Sequence, residues 1–137
     1  MQAIVPYLTF NGNAKEALAF YQKAFDGKIL FQQTFGESPM ESAPEYKDKI
    51  MHASFQAGDL ILMVSDCMPD QPVKGGTNTS LSLNFDTVAG IDATFAGLSE
   101  GATVTMPLQD TFWGAKFGML VDKYGINWMF NHDYAKK

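Results

Sequence analysis

The pattern along the chain opens with an apolar run over residues 3–10, rich in β-branched and aromatic side chains, which predicts a strand with Pro6 at an edge or irregular position. A helical period follows. Ala14, Ala17, Leu18, Tyr21, Ala24 and Phe25 follow the i, i+3, i+4, i+7 spacing of one helical face. Asn13 with Glu16 three residues on predicts an N-cap and capping box, and Gly27 predicts the left-handed stop. Residues 28–35 return to a strand pattern. The polar, acidic stretch 36–48 holds Pro39 and Pro44 and predicts a long loop, either a functional lid or simple disorder. Residues 50–56 and 60–65 flank Gly58-Asp59 and predict a hairpin.

The second half repeats the plan. Leu81, Leu83 and Phe85 alternate with Ser80, Ser82 and Asn84, and Ile91, Phe95 and Leu98 mark a second helical face. A strand over 102–106 ends at Pro107. Residues 113–121 and 126–130 predict a second hairpin around Tyr124-Gly125. At an offset of 75, Leu8 falls on Leu83, Phe10 on Phe85, Ala14 on Ala89 and Phe20 on Phe95. Both helices stop at an acid-glycine pair, Asp26-Gly27 and Glu100-Gly101. Aligning Gly58 with Gly125 puts Met63 at Phe130. The order is β-α-β-β-β, twice, an α+β fold. Module 1 covers about 1–66, a Pro- and Gly-bearing linker 67–77, and module 2 about 78–133 of a single 137-residue domain. A module of roughly 65–70 residues is marginal alone, so the two should share a sheet or a core.

Composition adds limits. The net charge of −5 argues against nucleic acid and anionic membrane surfaces as partners. No apolar run approaches the ~20 residues that span a bilayer. The start of the chain lacks the pattern of a signal peptide, and the single cysteine, Cys67, forbids an intrachain disulfide; both predict a cytoplasmic protein. Eleven Phe and eight Met suit either an apolar cavity or plain core packing.

Three stretches carry a family resemblance. The first is Pro6-Tyr7-Leu8-Thr9-Phe10 with the helix from Ala14 to Phe25. The second is Met51-His52-Ala53 with the hairpin from Gly58 to Asp66. The third is Asp110-Thr111-Phe112-Trp113-Gly114-Ala115-Lys116-Phe117-Gly118, running into the segment from Val121 to Met129. Together with the doubled module they resemble the vicinal oxygen chelate superfamily of glyoxalase I, bleomycin-resistance proteins and extradiol dioxygenases. Within it they resemble the PhnB-like branch, also catalogued as a 3-demethylubiquinone-9 3-methyltransferase domain. The resemblance implies a strongly curved mixed sheet built by the two modules, and a homodimer. It does not bring methyl transfer with it: Gly75-Gly76 stands alone in a linker, and the element order is wrong for a parallel nucleotide-binding sheet.

In metal-dependent members of the superfamily the first and last strand of each module supply His, Glu or Gln. The resemblance places those positions at Val5, Leu62, Ser80 and Met129, none a first-row metal ligand, and a slip of one residue yields no ligand set either. The expectation is no metal and no cofactor.

Four residues are ligand-binding candidates: Tyr7, His52, Trp113 and Phe117. His52 is either a half-buried histidine donating to a backbone carbonyl or a polar group facing a cavity, and in the second case a general base. A metal-ligand role lacks a second ligand. Tyr7 is placed to offer its hydroxyl to a ligand. Trp113 and Phe117, in a segment with Asp110, Phe112 and Lys116 that resembles a cavity mouth, either complete a core or line a pocket. Cys67 has no sequence-local activating partner and reads as a bystander thiol. His132 lies near a terminus expected to fray. Glu37, Glu41, Glu45 and Asp48 lack calcium-loop spacing and read as a solvated loop. The chain has no arginine, so a bidentate phosphonate clamp is unavailable; Lys74 and Lys116 are the only candidate substitutes.

Two functions follow from different classes. One is a protein that binds a small apolar or oxygenated molecule in a cavity without the usual metal ligands. The other is a lyase, isomerase or dioxygenase acting on a small oxygenated metabolite.

Overall fold

The computed structural model describes residues 1–39 and 43–134. Residues Tyr7–Phe10 form β1, Ala14–Phe25 α1, Lys28–Thr34 β2, Ile50–Ala57 β3 and Leu60–Asp66 β4. They build one compact unit, Met1–Val73. Its four-stranded sheet runs β1-β4-β3-β2, with β1 parallel to β4 and the other pairs antiparallel. The strand period of two sends Leu8, Phe10, Ala53, Phe55, Leu62 and Val64 to one face, where α1 covers them with Ala14, Ala17, Leu18 and Tyr21. Each large side chain buried there contributes about 1.5–3 kcal/mol.

The second unit, Lys74–Lys137, repeats this with Leu81–Asn84 as β5, Val88–Ser99 as α2, Thr103–Asp110 as β6, Ala115–Val121 as β7 and Asn127–Asp133 as β8. Its sheet runs β5-β8-β7-β6 with the same mixture of one parallel and two antiparallel pairs. Ile91 and Leu98 of α2 are buried, as are Leu120, Trp128 and Phe130 of the sheet, and the Phe95 and Phe130 rings meet edge-on at 4.9 Å. Gly118 lets α2 approach: a Cβ there would stand 2.9 Å from Leu108 and 3.0 Å from Phe95. The class and the twice-used element order are those the sequence predicts, with the eight strands gathered into two four-stranded mixed sheets.

Local details differ from the sequence reading. Asn13 makes no side-chain cap; the Ala14 amide donates instead to Asp66 Oδ1 at 2.9 Å. The left-handed residue that ends α1 is Asp26, at φ 53° and ψ 46°, not Gly27. Gly27 is needed for close approach, since a Cβ would run into the Phe55 ring and stand 2.7 Å from the Gln56 carbonyl oxygen. In the second unit Gly101, at φ 70°, does take the left-handed conformation. Strand β6 does not stop at Pro107 but runs through it. The proline is tolerated because β6 is an edge strand and its register with β7 shifts between Met106 and Gln109. Trp113 lies in the turn before β7, not in the strand. The 36–48 loop contains two single turns of 3₁₀ helix, Phe35–Glu37 and Pro44–Tyr46; Glu41 lies outside the described residues.

Candidate functional site

Strand pairing fixes which residues share the face opposite α1. Tyr7 pairs with Met63, Met63 with Ser54, and Ser54 with Phe31, which makes one row across all four strands of the first sheet. The next row holds Thr9 paired with Ser65, and His52 paired with Gln33. The Tyr7 hydroxyl and His52 Nδ1 are 3.2 Å apart, and the imidazole lies 5.8 Å from the Tyr7 ring and 6.2 Å from the Phe31 ring. Tyr7 and Phe31 are half-exposed, at 49% and 51%. His52 therefore donates to no backbone carbonyl, and Tyr7 does not leave its hydroxyl idle: each engages the other. Among the described residues His52 Nε2 has no hydrogen-bond partner, nor do the hydroxyls of Thr9, Ser54 and Ser65.

The second sheet carries the matching rows. Leu8 pairs with Val64 as Leu83 pairs with Phe130, and Ala53 with Val64 as Gly118 with Phe130. Stepping back one residue from Ala53 and Gly118 makes Phe117 the counterpart of His52, and the same register makes Ser82 the counterpart of Tyr7. On this sheet Phe117 pairs with Asn131 and Gln109, while Met129 and Met106 both pair with Met119. Asn131 Nδ2 donates to Asn84 Oδ1 and Asp133 Oδ1, each at 3.2 Å. The Trp113 ring meets Phe117 at 6.0 Å and Phe112 at 5.0 Å, both edge-on, with Phe112 almost wholly exposed at 97%. The structure thus joins Tyr7 to His52 on one sheet and Trp113 to Phe117 on the other.

These registers correct the alignment of the two hairpins. Phe130 is buried under α2, but Met63 lies on the face away from α1, so the counterpart of Phe130 is Val64. By the same slip Leu62 is fully buried beneath α1, and Met63 is the residue matching Met129. Neither methionine suits a hard or borderline first-row ion. No group of three or more His, Cys, Asp or Glu among the described residues is placed to hold a metal. The residues present do not fit the superfamily's metal site.

Other singled-out residues have structural partners. His132 sits inside β8, 8% exposed, and Nδ1 donates to the Phe85 carbonyl at 2.9 Å. The carbonyl can only accept, which places the proton on Nδ1. Lys116 is bound to Asp92 at 2.6 Å. Cys67 is half-buried and donates to Asn11 Oδ1 at 3.3 Å; the Asn11 amide also binds the Val73 backbone at 2.8 and 2.9 Å and ties the segment after β4 to the end of β1. Burial pushes the Tyr46 hydroxyl up to about 12, aided by Cys67 and Asp66. The Tyr134 hydroxyl is raised by its hydrogen bond to Asp110. Sequence reasoning missed Phe31, Ser54 and Ser65. Ser54 follows from alternation along β3, two residues from His52; Phe31 and Ser65 reach the same face through the β2–β3 and β3–β4 registers, which alternation alone does not set.

A doubled β-α-β-β-β unit with these two mixed sheets is a glyoxalase/bleomycin-resistance-like fold. The chain belongs to the family described as 3-demethylubiquinone-9 3-methyltransferase, whose model matches residues 2–130. It is 33% identical to Protein YjdN of Escherichia coli (strain K12), with 92% of each chain covered. Protein PA1353 from Pseudomonas aeruginosa has a structure of TM-score 0.86 at 44% identity, covering 97% of this chain and 98% of that one. A putative 3-demethylubiquinone-9 3-methyltransferase, PhnB protein, from Bacillus cereus matches at TM-score 0.80 and 30% identity, covering 96% and 99%. A glyoxylase/bleomycin resistance protein/dioxygenase domain from Frankia sp. EAN1pec shares the fold at TM-score 0.71 and 13% identity, covering 100% and 96%. No helix among the described residues is long and apolar enough to cross a membrane.

Proposed function

We propose that this protein binds a small apolar or oxygenated molecule, using the face of the first sheet around Tyr7 and His52, without a metal at the superfamily's ligand positions. One observation carries this reading: His52 is held by Tyr7 through Nδ1 between two half-exposed aromatic rings, while Nε2 and three neighbouring hydroxyls have no partner in the described protein. Polar groups gathered on an aromatic-lined surface, with their hydrogen bonds unspent, suit a ligand that brings oxygen atoms. Trp113 and Phe117 supply aromatic contacts of their own on the second sheet. A homodimer in the cytoplasm completes the proposal; the free thiol of Cys67 suits a reducing compartment. Methyl transfer is not part of it, because both sheets are mixed and neither offers the parallel strand-loop-helix cradle of that chemistry.

A second reading, an enzyme of proton-transfer type on a small oxygenated metabolite, is favoured by the titratable His52 standing free at Nε2. The test for both is amide and side-chain NMR with a panel of small phenols, ketones and aromatic hydrocarbons. Shifts gathered at Tyr7, Phe31 and His52 are expected. Shifts that avoid these residues, or full binding by His52→Ala, overturn the site. Metal analysis of gently purified protein tests the rest: tight stoichiometric Zn, Ni, Fe or Mn, with stability lost on chelation, overturns the metal-free reading.

A further inference from the structure

We propose that the Tyr7–His52 pair takes a weakly acidic hydroxyl compound, a phenol or an enol, and holds it as its anion with the proton on His52 Nε2. This rests on the reading of the site given above and adds the class of ligand.

Three observations carry it. Nδ1 of His52 is committed to Tyr7, so a ligand meets Nε2. The groups that the strand registers set around His52 are uncharged: Tyr7 and Thr9 from β1, Phe31 and Gln33 from β2, Met63 and Ser65 from β4. Helix α1 lies on the opposite face, and the Glu37 carboxylate, beyond the end of β2, accepts from the Thr34 amide and hydroxyl at 2.9 and 3.1 Å rather than from His52. In a chain of net charge −5, no carboxylate among the described residues forms an ion pair with His52, so an imidazolium there has no counter-ion of its own among them. An arriving anion is then the missing counter-charge. Lastly, Thr9, Ser54 and Ser65 have hydroxyls without partners, which can donate to an oxyanion, and the rings of Tyr7 and Phe31 can face a planar ligand.

The step balances without a co-reactant. The ligand O–H bond breaks, its electron pair stays on oxygen, and the proton joins the Nε2 lone pair. In the neutral tautomer that leaves Nε2 its lone pair, Nδ1–H already donates to the Tyr7 oxygen, and the Tyr7 hydrogen is left to turn to the ligand oxyanion. Proton and anion each strengthen the binding of the other, as linkage requires.

The test uses the full chain with two probes, 4-nitrophenol, whose phenolate is coloured, and 4-nitroanisole, which has no acidic proton. At a pH where free nitrophenol is mostly un-ionised, binding should raise the phenolate absorbance. ¹⁵N NMR should show Nε2 becoming protonated with nitrophenol but not with nitroanisole. Affinity for nitrophenol should exceed that for nitroanisole by about ten-fold, and His52→Gln, checked for folding by circular dichroism, should remove the absorbance gain. Nitrophenol bound in its neutral form, or an unchanged absorbance gain in His52→Gln, overturns the inference alone. Failure of both probes to perturb Tyr7, Phe31 and His52 overturns the site reading with it.

Discussion

Asp66, at the end of β4, caps α1 from 52 positions away by accepting the Ala14 amide proton at 2.9 Å. Its other oxygen accepts from Ile50 at 2.8 Å, so one carboxylate fixes the start of the helix and the start of β3. It is 4% exposed. Asp66→Asn keeps one acceptor and turns a donor toward the other amide, and should cost about 1–3 kcal/mol. Asp66→Ala, which orphans both amides, should cost more. Urea unfolding measures the loss, and amide exchange should quicken first at Ala14 and Ile50.

The end of α1 predicts opposite outcomes for neighbouring substitutions. Asp26→Gly relieves a left-handed aspartate and should stabilise by about 0.5–1 kcal/mol. Gly27→Ala drives a Cβ against Phe55 and the Gln56 carbonyl and should destabilise by about 1–3 kcal/mol. Thermal midpoints of the two variants should fall on either side of the parent.

Tyr46 predicts an alkaline limit. Its value in the fold, about 12, lies above the ordinary 10, so the fold favours the neutral phenol. That contribution is fully present below pH 10 and is lost as pH rises through about 12. Phenolate absorbance should show a late-titrating tyrosine that Tyr46→Phe removes while the raised Tyr134 stays, and Tyr46→Phe should flatten the pH dependence of stability in that window.

Glu37 predicts an acid effect of the opposite sign. The Thr34 amide, which it accepts in a capping box, holds its carboxyl below the ordinary 4.5. The contribution is therefore present above pH 4.5 and is lost as pH falls through the lower folded value. Amide exchange at Thr34 and Glu37 should quicken on acidification, and Glu37→Gln should remove that dependence.

How far the sequence reaches is clearest at these residues. The β-branched and aromatic run at 3–10, the alternation along 81–85 and the helical spacing from Ala14 to Phe25 are enough for element order, because each reflects a face buried by its own module. The cap on α1 was illegible: Asn13 is the local candidate, but the acceptor arrives from Asp66 through the fold. Register failed by one residue because β3 and β4 are joined by two residues, 58–59, whereas β7 and β8 are joined by five, 122–126. Asp122 closes that longer loop by accepting from Tyr124, Ile126 and Trp128. The glycines of the two turns are thus not equivalent. Tyr7 and His52 could be named as candidates singly. Their contact depends on β1 pairing parallel to β4, a non-local event no window of sequence displays.

The correspondence of His52 with Phe117 has a practical consequence. Rows beneath the helices, such as Leu8–Val64–Ala53 and Leu83–Phe130–Gly118, are apolar or small in both copies, while the opposite rows have drifted apart in chemistry. An engineer can therefore randomise Tyr7, Phe31, His52 and Ser54 together, with the unaltered copy next door as a built-in record of which side chains the scaffold itself does not demand.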